Sequence, residues 1–72
     1  MSEQIPIRGA TIRLGQLLKL AGVSDSGAEA RELLRSEPAI VNGAPETRRG
    51  RQLHPGDEVR IAARTLVVTE KK

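Results

Sequence analysis

The sequence predicts an α+β domain: two short packed helices followed by a small, mainly antiparallel β-sheet. Three observations carry that expectation. Apolar residues recur at helical spacing in the first half of the chain, and short alternating runs between turn residues fill the second half. The 72-residue length confines both to one domain, residues 1–72, with a core over about 12–69 and frayed ends at 1–4 and 70–72.

The elements follow in order. Ile5-Pro6-Ile7 alternates like a strand, but Pro6 restricts it to an edge or an extended lead-in. Leu14, Leu17, Leu18 and Ala21 then stand at i, i+3, i+4 and i+7, the apolar stripe of a short helix, and Gly22 suits its left-handed end. Because that helix contains Gly15 and spans about two turns, packing rather than propensity must hold it. Ser26 and Glu29 make a capping-box pattern that opens a second helix, whose buried stripe is Ala30, Leu33 and Leu34. At about 100° per residue, Arg31 and Arg35 fall together on its far side, with Glu29 and Glu32 on the other flank. Pro38 closes the helical region. Asn42-Gly43 supplies the two positive-φ residues of a type I′ hairpin, whose second arm Pro45 keeps short. Glu46 to Arg51 reads as a polar loop and His54-Pro55-Gly56-Asp57 as a turn. Glu58 to Ile61 and Leu66 to Val68 read as strands, joined through Ala62 to Thr65.

Composition narrows the function. The chain has no Phe, Tyr, Trp or Cys. Without cysteine there is no disulfide framework, no thiolate nucleophile and no Cys-based zinc site. Without aromatic rings there is no platform for stacking unpaired bases. The core must be aliphatic, drawn from eight Leu, five Ile and five Val with Ala and Met1. A polar start and the lack of a long apolar run point to a cytoplasmic protein with no membrane partner.

No catalytic residue, metal ligand set or cofactor motif is expected. The lone histidine, His54, sits in a turn, and no nucleophile-elbow pattern surrounds Ser24, Ser26 or Ser36. Phosphate-binding glycine motifs are absent, and so short a chain has little room for a small-molecule substrate pocket.

Charge placement is more telling than the net charge of +3. Nine of the twelve cations are Arg, whose planar fork suits phosphate or carboxylate. Arg48-Arg49-Gly50-Arg51 places three guanidinium groups within four residues, a spacing that can meet successive phosphates. The alternative for this stretch is a solvated loop paired with Glu46, or with Asp57 and Glu58. Lys19 on the first helix and Arg31 with Arg35 on the second tip the balance toward a phosphate-binding face, provided that they converge.

The order of motifs resembles a known family. Arg13-Leu14-x-x-Leu17-Leu18-Lys19-x-x-Gly22 leads into Ser26-Gly27-x-Glu29-Ala30-Arg31-x-Leu33-Leu34. Val41-Asn42-Gly43, Glu46-Thr47-Arg48-Arg49 and Pro55-Gly56-Asp57 follow. This series resembles the S-four RNA-binding domain (the αL motif), and most of all its small stand-alone bacterial members. The resemblance implies a helix pair and adjacent loop that face structured RNA of the ribosomal or transfer RNA class. It puts Lys19, Ser26, Arg31, Arg48, Arg49 and Arg51 on the RNA-binding surface, and helical phase adds Arg35. Two departures stand out: Gly27 occupies a position where many members carry Arg, and Ser36-Glu37-Pro38 replaces the usual glycine, bringing Glu37 near the basic face.

The expected function is therefore a non-catalytic, monomeric RNA-binding module, ribosome-associated, that reads backbone and shape. The alternatives are a protein-interaction adaptor using the same basic face and, more distantly, a duplex DNA binder built on the helix pair.

Overall fold

A computed structural model describes residues 2–71. Its strands and helices run β1 (Ser2–Ile7), β2 (Ile12–Arg13), α1 (Leu14–Leu20), α2 (Gly27–Ser36), β3 (Ala39–Val41), β4 (Ala44–Glu46), β5 (Gln52–Leu53), β6 (Glu58–Ile61) and β7 (Arg64–Glu70). The α+β class is as the sequence predicts. Five strands form one sheet in the order β1-β7-β6-β3-β4, and β2 pairs with β5 in a separate two-residue ladder.

The sheet is antiparallel except at one edge. There β1 runs parallel to β7, pairing Ser2 with Thr65 through to Ile7 with Glu70. Pro6 is tolerated because β1 is an edge strand, as its sequence requires. Of the ends expected to fray at 1–4 and 70–72, Ser2 to Gln4 and Glu70 are instead ladder residues. Local sequence cannot reveal a pairing between segments more than sixty residues apart. Arg64 reinforces it, donating from Nε to Glu3 at 2.8 Å and from Nη2 to the Ala21 carbonyl at 2.9 Å. Met1 and Lys72, expected to contribute to the core and to fray respectively, lie outside the described residues.

Alternation aims one face of the sheet at the helices. Ile5, Ile7, Ala39, Val41, Val59, Ile61, Leu66 and Val68 are buried, in a single cluster with Leu14, Leu17, Leu18, Ala30, Leu34 and Leu53. The predicted helical stripes are therefore the buried ones, with Leu33 and Ala21 packed at the margin. The core also reaches back to Ile5, beyond the span of about 12–69 expected from sequence. Gly22, at φ +77°, takes the left-handed conformation that ends α1.

Two tight hairpins shape the sheet, and they are chemically unequal. Asn42 and Gly43 have φ of 50° and 87°, the I′ pattern their sequence predicts. The Asn42 side chain also ties this turn to its neighbour, accepting from the Glu58 N–H at 2.9 Å and donating to Asp57 at 3.1 Å. The β6–β7 turn uses Ala62 and Ala63 at φ of 52° and 61°, a left-handed conformation that costs an L-residue about 1–2 kcal/mol. Glu37 holds this turn by accepting from the Ala62 N–H at 2.8 Å. Its carboxylate thus serves the hairpin. The double substitution Ala62→Asn/Ala63→Gly keeps that hydrogen bond and removes the strain. It is expected to raise stability by about 1–2 kcal/mol in thermal unfolding, and an unchanged or lower midpoint would refute the account.

Candidate nucleic-acid interface

The arginine loop is built onto the start of α1. The β2–β5 ladder, pairing Ile12 with Leu53 and Arg13 with Gln52, brings the two segments together. Leu14 N–H then donates to the Arg51 carbonyl and Gly15 N–H to the Arg49 carbonyl, both at 2.8 Å. Two of the orphan amides that open a helix are thereby satisfied by the loop itself. Arg13 N–H is met by Gln16 Oε1 at 3.2 Å.

Gly15 and Gly27 make room for this arrangement. A β-carbon on Gly15 would lie 3.2 Å from Arg49 Cβ and 3.4 Å from the Arg49 carbonyl, so loop and helix approach as closely as a bare backbone allows. A β-carbon on Gly27 would lie 3.0 Å from Arg49 Nη1. The Arg49 side chain therefore reaches across from the loop to the first turn of α2. Gly27, where many members of the resembled family carry Arg and the stand-alone ones often glycine, leaves that space to a guanidinium supplied by the loop.

An open groove of about 300 Å³ results, lined by Arg13, Gln16, Lys19, Gly27, Arg49 and Gly50. Arg13, Lys19 and Arg49 have no ion pair among the described residues. A second open groove, lined by Arg48, Gly50, Arg51, Gln52 and His54, shares Gly50 with the first. The loop is thus a basic ridge between two concave surfaces.

The predicted residues divide into groups. Lys19 and Arg49 meet at the first groove, and Arg48 and Arg51 line the second. Arg31 and Arg35 line neither. Helical repeat puts them one and two turns beyond Gly27, so they continue the row that Arg49 begins. Arg35 also contacts Glu32 at 3.5 Å, an exposed pair that contributes little. Ser26 spends its acceptor on the helix, taking the Glu29 N–H at 3.1 Å. Arg13 and Gln16 are groove residues that the sequence does not single out: Arg13 opens the run Arg13-Leu14-x-x-Leu17, whereas Gln16 is an unmarked position within it.

Glu46 is the other feature that sequence reading undervalued. It is 7% exposed. Arg48 donates to it from its backbone N–H at 3.1 Å, from Nε at 3.2 Å and from Nη2 at 3.3 Å, and Arg51 Nη1 donates at 3.1 Å. Two of the three loop arginines are therefore ion-paired, as the solvated-loop alternative anticipated, and Arg49 is not. Pairing with the Arg48 side chain, then with its backbone N–H and with Arg51, holds the Glu46 carboxyl down at about 2 from an ordinary 4.5. A depressed carboxyl pKa gives stability that is full above the ordinary value and lost as pH falls through the folded value. Acid unfolding should therefore show a stability loss between about pH 4.5 and pH 2 that is smaller in Glu46→Gln by the share due to Glu46. An identical acid limb in that variant would count against the assignment.

In the neighbouring turn, Asp57 accepts from the His54 N–H at 2.7 Å. Burial pushes its carboxyl up, but the His54 and Asn42 hydrogen bonds outweigh burial and leave it below the ordinary value. His54 is thus placed as a turn residue that also borders the second groove. Among the described residues, no group of three or more His, Asp or Glu could hold a metal ion, and no helix is long and apolar enough to cross a membrane.

A family profile described as the S4 domain matches residues 5–69. The chain is 46% identical over 61 residues to the probable ribosome maturation protein RlbA of Bacillus subtilis (strain 168), covering 85% of this chain and 86% of that protein.

Proposed function

The chain belongs to the S4 domain family, and from that premise we propose that it is a non-catalytic, monomeric RNA-binding protein that engages folded ribosomal RNA during ribosome maturation in the cytoplasm. The observation that carries this reading is the meeting of Arg13, Lys19 and Arg49, without counter-ions among the described residues, at one open groove. Such a surface fits a phosphate backbone. With no aromatic side chain anywhere in the chain, contact is through phosphates, 2′-hydroxyls and shape rather than through unstacked bases. The relative's part in ribosome maturation supports the choice of ribosomal over transfer RNA.

The test is affinity for purified ribosomal RNA as a function of salt. With about five phosphates engaged, affinity falls roughly 10²- to 10³-fold between about 50 and 200 mM salt. A flat salt response would remove the electrostatic mechanism. Capture of ribosomal particles that survives nuclease treatment would favour the protein-adaptor alternative instead.

A further inference from the structure

Glu46, the last residue of β4, is an odd neighbour for a phosphate-binding loop, because it repels the ligand that the loop arginines attract. It is also nearly inaccessible, so it is not a solvated counter-charge. Four donors reach its two oxygens: the backbone N–H, Nε and Nη2 of Arg48, and Nη1 of Arg51. A carboxylate offers about four lone-pair sites, so this one is saturated.

Two consequences follow from that saturation. Arg49 finds no vacancy on Glu46 and remains free to lie across Gly27. Arg48 and Arg51, although 78% and 38% exposed at the side chain, have their guanidinium groups oriented before any ligand arrives. The fork of Arg48 that would grip a phosphate through Nε and Nη2 is occupied, which leaves Nη1 and the outward hydrogen of Nη2 to donate end-on. Three arginines and one carboxylate also leave the ridge with two net positive charges rather than three. Rigid, partly neutralised cations suit phosphates held at fixed positions and gain less from a flexible chain, which pays for its own ordering on binding.

We propose that Glu46 is a specificity-setting positioning residue, whose carboxylate fixes Arg48 and Arg51 and cancels one of their charges so that the ridge favours folded RNA over unstructured single strands. The proposal rests on the RNA-binding reading above and adds to it a residue that contacts no RNA.

The test compares the full-length wild-type chain with Glu46→Gln, using purified ribosomal RNA and poly(U) as probes and far-UV circular dichroism to verify folding. The variant frees one positive charge and releases both guanidinium groups. Poly(U) affinity should rise about 5- to 8-fold at about 0.1 M salt, the counterion release of one further phosphate contact, and the salt slope should steepen by about 0.7 to 0.9. Ribosomal RNA gains the same charge but loses the preorganised arginines, so the ratio of the two affinities should fall about fivefold or more. A merely structural role would weaken both probes together and leave ratio and slope unchanged, and that result would overturn the proposal. Nitrogen-15 relaxation of the arginine Nε–H groups in the free wild-type protein supplies a second measurement that does not depend on the variant's folding. Arg48 should be rigid and Arg49 mobile; equal mobility refutes the positioning role. If wild type binds neither probe in a salt-dependent way, the RNA reading falls and this proposal with it, whereas equal affinity for the two probes refutes this proposal alone. A wild-type preference that Glu46→Gln retains refutes only the part assigned to Glu46.

Discussion

Reversing the charges of Lys19 and Arg49 together is expected to lower affinity for ribosomal RNA about 10²-fold or more at about 0.1 M salt. Both residues border the same groove and neither has an ion pair among the described residues. Losing two phosphate contacts flattens the salt slope by about 1.4 to 1.8, which alone is worth roughly 25- to 60-fold at that salt, and the two new carboxylates add repulsion. The fold should survive, because the loop is fastened to α1 through the Arg49 carbonyl rather than its side chain. Filter binding across a salt series reads the result, and an unchanged slope would place the RNA elsewhere on the molecule. The arginine pair that looks most obvious in the sequence, Arg48 with Arg49, makes a poorer experiment. A glutamate at position 48 would stand beside Glu46 and disturb the loop as well as the charge.

The second large effect concerns stability. Leu17→Ala should destabilise the protein by about 2–5 kcal/mol, because Leu17 is fully buried in the one aliphatic cluster. For a domain of this size each kcal/mol lowers the unfolding midpoint by about 4–8 °C, so a fall of roughly 8–40 °C is expected. Against a total stability on the order of 5–15 kcal/mol for folded domains, that is a large share. The chain lacks disulfides, aromatic rings and other reserves that could absorb it. Because α1 carries Lys19 and anchors the arginine loop, RNA binding should be lost over the same temperature range as the circular dichroism signal. A loss under about 1 kcal/mol would mean that the site collapses around the smaller side chain, with α1 packed more loosely than its burial implies.

Much of this architecture is legible in the order of residues, for reasons that are local. The stripe at Leu14, Leu17 and Leu18 follows from the helical repeat, the Ser26 cap from a hydroxyl within reach of the amide three residues on, and the Asn42-Gly43 turn from two residues that tolerate positive φ. The same logic fails at Ala62-Ala63, where strand pairing and Glu37 impose a turn that alanine does not favour. It fails again at β1, because parallel pairing with β7 leaves no short-range mark in Ser2 to Gln4.

The interface divides along the same line. Density of arginine between positions 48 and 51 is a property of the chain, and it points to phosphate before any coordinate is known. Which of those arginines is available is not such a property. It depends on a carboxylate saturated by Arg48 and Arg51, on two glycines that let Arg49 lie across the helix starts, and on a two-residue ladder that docks the loop. Periodicity and turn chemistry act over a few bonds and can be read along the chain. Ion pairing and close approach depend on distances that exist only once the chain has closed on itself.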